Sequence, residues 1–183
     1  MPPTSPGPGW PAALPESLGP GGRVIWITGL SGAGKTTLAR ALLPLLPQPR
    51  LLLDGDALRE ALALLGGGYE RADRLKLALT YARLCLLAAG QGQQVVCATI
   101  SLFHEVHQWN RENLPGYFEV FLDFPPESLL ARDYKNVYQE GDETVMGRGM
   151  PPECPLAPDL RLFDPNLSPA EAAALIWEGI GRS

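Results

Sequence analysis

The sequence predicts a single α/β domain in three layers, α/β/α, around a parallel sheet, and three observations predict it. Short β-branched or leucine-rich runs alternate along the chain with stretches of helical spacing, the order that builds βαβ crossovers. Those runs are apolar without polar alternation, as strands buried on both faces are. A glycine-rich turn lies between the first run and the first helical stretch. With 183 residues, 45% hydrophobic and 19% charged, the chain can bury one core, and global disorder is excluded.

The elements follow in chain order. Residues 1–22 hold seven of the 19 prolines and five of the 20 glycines. That composition excludes helix and paired-strand interiors and predicts a disordered, PPII-like leader. It lacks a basic segment followed by an apolar one, so it does not read as a secretory signal. Residues 23–183 are the expected folded domain. Val24-Ile25-Trp26-Ile27-Thr28 predicts the first strand, with Trp26 in the core. A helix is expected over Lys35–Leu46, fraying at Pro44 and Pro47. Leu51–Leu53 predicts a second strand, closed by Asp54-Gly55-Asp56. Helices over Ala57–Leu65 and Asp73–Ala89 are separated by the Gly66-Gly67-Gly68 break. Gln94–Ile100 and Phe118–Asp123 predict the third and fourth strands, Leu160–Phe163 a weak fifth, and Ser168-Pro169 opens a last helix to Ile180. Lys135–Pro158, rich in Gly, Pro and charge, is too long for an ordinary connection and predicts a mobile lid, about 135–158.

Composition narrows the function before any motif is considered. A net charge of -5 argues against a general nucleic-acid or membrane-surface binder. No apolar run reaches the ~18 residues of a membrane span. Cys85, Cys97 and Cys154 are odd in number and in no CxxC spacing, which points to a reducing compartment, the cytoplasm, and to neither a disulfide framework nor a zinc site. Of the 15 basic residues only Lys35, Lys76 and Lys135 are lysines.

One of these lysines falls in the glycine-rich turn. Gly29-Leu30-Ser31-Gly32-Ala33-Gly34-Lys35-Thr36 matches G-x-x-x-x-G-K-S/T between an expected strand and an expected helix, the P-loop context. Glycines let successive N–H groups turn toward a phosphate, and the helix N-terminus adds its positive dipole end. Lys35 reaches the β- and γ-phosphates, and the Thr36 hydroxyl can ligate Mg²⁺ beside ATP. Gly29–Thr37 is thus the expected ATP cradle. No Asn-Lys-x-Asp guanine-reading motif is present, and little chain follows the fifth strand, so a small-molecule kinase fits better than a GTPase, motor or transporter.

At the end of the second strand Asp54 and Asp56 stand beside Arg59. One carboxylate can organise Mg²⁺ and the other accept the proton of an attacking hydroxyl, in an order the spacing does not assign. Arg59 can hold an anionic acceptor. An Asp helix cap would explain Asp56 alone, but not both acids and the arginine beside a P-loop.

These segments, with Asp73-Arg74, Ile100-Ser101 and Ala131-Arg132-Asp133-Tyr134-Lys135-Asn136-Val137-Tyr138, resemble the landmarks of adenylylsulfate kinases from about Val24 to Leu160. The resemblance implies a P-loop kinase domain over 23–183 that transfers the ATP γ-phosphate to a ribose hydroxyl of a small sulfated nucleotide. It implies a phosphorylated intermediate at the serine matching Ser101, although direct in-line transfer, with Ser101 binding substrate, is equally compatible. Tyr69, Arg74, Ile100, Ser101 and Arg111 are the further acceptor candidates, and Arg132 and Lys135 would neutralise charge on the transferring phosphoryl group.

The chain departs from the family pattern in places. Leu102-Phe103-His104 stands where Pro-Tyr-Arg is usual, Leu77 replaces an asparagine, and Thr144-Val145-Met146-Gly147 replaces a Gly-Phe-Thr-Gly whose aromatic stacks on the acceptor's adenine. Tyr69 remains as one stacking face. The run Thr99–Arg111 resembles the cytidine diphosphoramidate kinases of the same family, whose smaller base needs less aromatic cover. His104 and His107 are three apart, too few ligands for a metal site, and read as acceptor contacts or a solvated helix face. Lys76 reads as solvated. A non-catalytic module using MgATP as a switch is the competing class, and the sequence leaves a homodimer open.

Overall fold

A computed structural model describes residues 21–63, 68–130, 146–147 and 149–181. Along them run β1 (Arg23–Gly29), α1 (Lys35–Leu42), a 3-10 turn over Leu43–Leu45, β2 (Arg50–Asp54), α2 (Gly55–Ala61), α3 (Arg71–Ala89), β3 (Gln94–Ala98), α4 (His104–Asn113), β4 (Phe118–Leu122), α5 (Pro126–Leu130), β5 (Leu160–Leu162) and α6 (Pro169–Ile180). The strands pair in the order β2-β3-β1-β4-β5, every pair parallel. The chain leaves β1 toward one edge and, after β3, crosses to the other. The turn of direction therefore falls at β1, where ligands collect at the carboxyl ends of such sheets.

Side-chain alternation divides the core into two layers. Ile25, Ile27, Val96, Ala98, Val120 and Leu122 face α1 and α6, with Leu38, Leu42 and Ile176 among the buried contacts. Val24, Trp26, Val95, Cys97 and Phe121 face α3 and α4, against Ala82, Cys85 and Val106. Trp26 is fully buried, and Lys76 is exposed, as the sequence predicts. Among the described residues no helix is long and apolar enough to cross a membrane.

The structure corrects several boundaries. The first helix ends at Leu42, because Pro44 enters the 3-10 turn that follows. The second begins earlier than expected, at Gly55, since Asp54 caps it, and ends at Ala61. Helix α4 occupies the stretch read as acceptor contacts or a solvated helix face, with no bounds expected for it, and α5 lies where no element is expected. α6 is as expected, with Pro169 in its first turn and a Ser168–Glu171 capping box.

Residues 1–20 of the expected leader, and 135–145 and 148 of the expected lid, lie outside the described residues. The described remainder of the lid is anchored. Glu153 N donates to Leu102 O at 3.1 Å, and within the segment Gly147 N donates to Met150 O at 2.8 Å.

Candidate active site

The P-loop leaves β1 at Gly29, whose φ of 152° belongs to glycine and where a Cβ would sit 2.8 Å from Leu122 O on β4. Gly34, at φ 87°, opens α1 without any side-chain cap, so the first turn presents backbone N–H groups in the way that suits an anion. Lys35 Nζ donates to Leu30 O at 2.7 Å, which folds the ammonium back over the loop. Leu30 itself is packed under Gly147, where a Cβ would meet Leu30 Cδ2 at 2.8 Å.

Asp54 ends β2 and divides its two oxygens. Oδ1 accepts from Asp56 N at 3.0 Å and Ala57 N at 3.4 Å, making it the N-cap of α2. Oδ2 accepts from Thr36 Oγ1 at 2.6 Å. The capping acid is thus Asp54 and not Asp56, which stands exposed on the first turn of α2 and lines the cavity. A hydroxyl and a carboxylate in contact at the foot of a P-loop are two hard oxygen donors, a set that fits Mg²⁺.

The carboxyl end of β3 supplies the next wall. Thr28, buried at the end of β1, donates its hydroxyl to Ile100 O. Thr99 Oγ1 and Ser101 Oγ lie 2.8 Å apart. Ser101 has φ 30°, the one positive value at a non-glycine residue among those described. Its carbonyl accepts from Phe103 N at 3.0 Å and from His107 Nε2 at 3.2 Å. Opposite, the guanidinium groups of Arg59 and Arg74 lie 5.1 and 5.3 Å from the centre of the Tyr69 ring. Arg74 Nε also donates to Tyr69 O at 2.8 Å. Tyr69 is 57% exposed and stands behind the two arginines, outside the cavity lining.

These parts enclose one continuous cavity of about 1010 Å³. Ser31–Thr37 form its floor. On the β2–β3 side lie Asp54, Asp56, Arg59, Arg74, Ile100 and Ser101. On the β4–β5 side lie Phe124 and the loop over Pro165–Pro169. Sequence reasoning missed Thr28, Thr99, Phe103 and Tyr81. Tyr81 donates to Gly55 O at 3.3 Å, and burial pushes its phenol up to about 12. Nothing in the local pattern of α3 marks it.

Two expected roles change, those of Arg111 and His107. Arg111 does not reach the cavity. Its guanidinium holds Asp159 at 2.9 Å, Glu119 at 3.3 Å and Ala157 O at 3.1 Å, and so ties α4 to β4. His107 is neither an acceptor contact nor on a solvated face, since it is buried and donates to the Ser101 carbonyl. His104 is exposed on α4, in keeping with the solvated-face reading, with Nε2 at 3.0 Å from Cys154 O. Arg132 and Lys135 lie outside the described residues.

The anchored segment around residue 153 closes this side. Glu153 pairs with Arg71 at 2.6 Å and accepts from His104 N at 2.9 Å. Partial burial works to raise the Glu153 carboxyl, but the Arg71 hydrogen bond and the His104 N–H outweigh it, leaving the group below its ordinary value.

Comparison with known proteins agrees with this geometry. The adenylylsulphate kinase family model matches residues 21–163. The chain is 38% identical over 173 residues to an adenylyl-sulfate kinase of Deinococcus deserti, covering 91% of this chain and 94% of that one. It is 39% identical over 118 residues to a cytidine diphosphoramidate kinase of Campylobacter jejuni, covering 63% of this chain and 68% of that one. The structure of the Mycobacterium tuberculosis APS kinase in complex with AMPPNP and APS superimposes with a TM-score of 0.78 at 30% identity, covering 88% of this chain and 98% of that one. A P-loop joined to a capping aspartate, an arginine pair and a strand-end serine, with relatives of this likeness, place the chain in the adenylylsulfate kinase family of ATP-dependent kinases.

Proposed function

We propose that the protein transfers the γ-phosphate of MgATP to a ribose hydroxyl of adenylylsulfate. The observation that carries this reading is the single cavity with its P-loop floor, a largely apolar wall at Phe124, Pro165, Leu167 and Pro169, and a wall bearing Asp56, Arg59, Arg74 and Ser101. A purine nucleotide fits the first wall with its phosphates over Ser31–Thr37, and an anionic acceptor fits the second. Mg²⁺, when bound, would neutralise charge on the β- and γ-phosphates, and Thr36 and Asp54 are the residues that would hold it and its waters.

The remaining roles follow from placement. Asp54 is committed to Thr36 and the α2 cap, so Asp56 accepts the proton of the attacking hydroxyl. Lys35 stabilises the transferring group, and Arg132 and Lys135 are proposed from sequence for the same task. Arg59 and Arg74, each within about 5 Å of the Tyr69 ring centre, grip the acceptor's anionic groups. Among the described residues, Ser101 Oγ has the Thr99 hydroxyl as its hydrogen-bond partner, and a hydroxyl is no general base. That supports direct in-line transfer with Ser101 binding acceptor.

Cytidine diphosphoramidate as acceptor is the second reading. It is favoured by Leu102-Phe103-His104, where buried Phe103 forms part of the cavity wall, and by the Campylobacter relative. Acceptor-stimulated ADP release, measured across adenylylsulfate, cytidine diphosphate derivatives and simple polyols, tests both. Stimulation by adenylylsulfate supports the first reading, and stimulation by the cytidine compounds alone replaces it with the second. Stimulation by none of them, with ATP still bound, refutes kinase action on either nucleotide.

A further inference from the structure

Ser101 keeps a positive φ of 30°, a state an L residue holds only where its surroundings impose it. One backbone group and two side chains hold the carbonyls on either side of it, and Phe103 N donates to that of Ser101 at 3.0 Å. The Thr28 hydroxyl, one residue before the P-loop, holds the carbonyl of Ile100, and His107 Nε2, from α4, holds the next carbonyl, that of Ser101, at 3.2 Å. A carbonyl only accepts, so Nε2 must carry the hydrogen, and in a neutral ring Nδ1 is then a bare acceptor. That Nδ1 is buried and has no hydrogen-bond partner among the described residues. An imidazole with one orphaned nitrogen is a poorer core residue than Leu or Met, so packing does not account for a histidine here.

We propose that His107 is a positioning residue for the acceptor site: by donating Nε2–H to the Ser101 carbonyl it holds the Ile100–Ser101 peptide so that Ser101 meets the acceptor in the cavity. This rests on reading the Arg59, Arg74 and Ser101 wall as the acceptor side. Neither the P-loop nor the apolar wall depends on His107, so the ATP half of the site is untouched by its loss.

The test compares His107→Met with His107→Gln in the full chain, using adenylylsulfate and cytidine diphosphate as probes of acceptor-stimulated ADP release. The Met variant is expected to raise acceptor KM about fivefold or more, or lower kcat about tenfold, with KM for ATP within about twofold, while Gln, which still offers an N–H, recovers most of the loss. A Met variant with wild-type acceptor parameters, or a Gln variant no better than Met, overturns the proposal. Imidazole ¹⁵N NMR on the wild-type chain needs no variant to fold: a protonated Nε2 and bare Nδ1 are expected, and a protonated Nδ1 overturns the assignment. If neither probe stimulates the wild type, the acceptor reading falls on its own and the tautomer decides the fate of His107.

Discussion

Thr36 donates to Asp54 across 2.6 Å, joining the first turn of α1 to the first turn of α2 through one carboxylate. Because the other oxygen of that carboxylate caps α2, its two tasks can be separated by substitution. Asp54→Asn keeps an acceptor for the cap and loses the charge. Its thermal midpoint should stay near wild type while Mg²⁺-dependent turnover falls roughly 100-fold or more. Asp54→Ala should lose a similar amount of activity and about 1 kcal/mol of stability besides. With Thr36→Ala the pair should be non-additive in kcat, and additive effects would show that the two residues act apart.

Lys35→Ala removes a charge that donates to the Leu30 carbonyl of its own loop. The fold should survive, since that bond lies within one short loop, and kcat/KM should drop by about 100- to 1000-fold. Near-normal ADP release from a folded Lys35→Ala protein would remove Lys35 from the mechanism.

The two P-loop glycines should respond differently to a methyl group. At Gly34 a Cβ meets nothing within 4 Å, so Gly34→Ala carries only the cost of a left-handed backbone, about 1–2 kcal/mol. At Gly29 the Cβ would press on Leu122 O at 2.8 Å, and the central β1–β4 pairing must give. Chemical denaturation should rank Gly29→Ala as the more destabilised; equal midpoints would mean that β4 yields freely.

Arg111→Ala tests whether this residue serves substrate or structure. Its loss leaves Glu119, 3% exposed, without a counter-charge, and Glu119 is already pushed up by burial. Removing one partner of a buried pair is costly, and the partial exposure of Arg111 reduces the expected loss to about 1–3 kcal/mol. Acceptor KM should be unchanged. A raised KM at wild-type stability would return Arg111 to the acceptor site.

Burial pushes His107 down to about 4, with the Ser101 carbonyl and Glu153 opposing and His104 and Arg111 adding to the fall. The unfolded chain binds that proton near pH 6.5 and the folded chain does not. Its contribution is therefore fully present above pH 6.5 and is lost as pH falls toward 4, by about 3 kcal/mol in all. The slope difference between wild type and His107→Met over that window isolates the effect from Glu119 and Glu153. Parallel slopes would show that the ring charges freely in the fold.

The P-loop and the Asp54–Arg59 cluster were readable because their chemistry needs a local pattern: glycines between an apolar strand and a helix, and acids at a strand end. What was hidden had non-local causes. Asp54 and Asp56 look interchangeable until the end of β2 is known to the residue. Helix α4 buries Val106, His107 and Asn110, two of them polar, so no apolar stripe announces it. Arg111 looks like an anion binder because Asp159 is 48 residues away. Thr28 is an ordinary strand residue whose hydroxyl matters only once β1 and β3 lie side by side and bring Ile100 O to it, and Thr99, just past β3, matters through its contact with Ser101.

The clasp between residues 102–104 and 153–154 carries a consequence for engineering. Leu102 O, His104 N and the His104 ring are each bonded to Glu153 or Cys154, and Glu153 also holds Arg71 at the start of α3. A graft that exchanges Leu102-Phe103-His104 for another substrate-reading triplet would therefore arrive without its mate. Acceptor preference in this scaffold is transplanted as two stretches together, one after β3 and one before β5, or not at all.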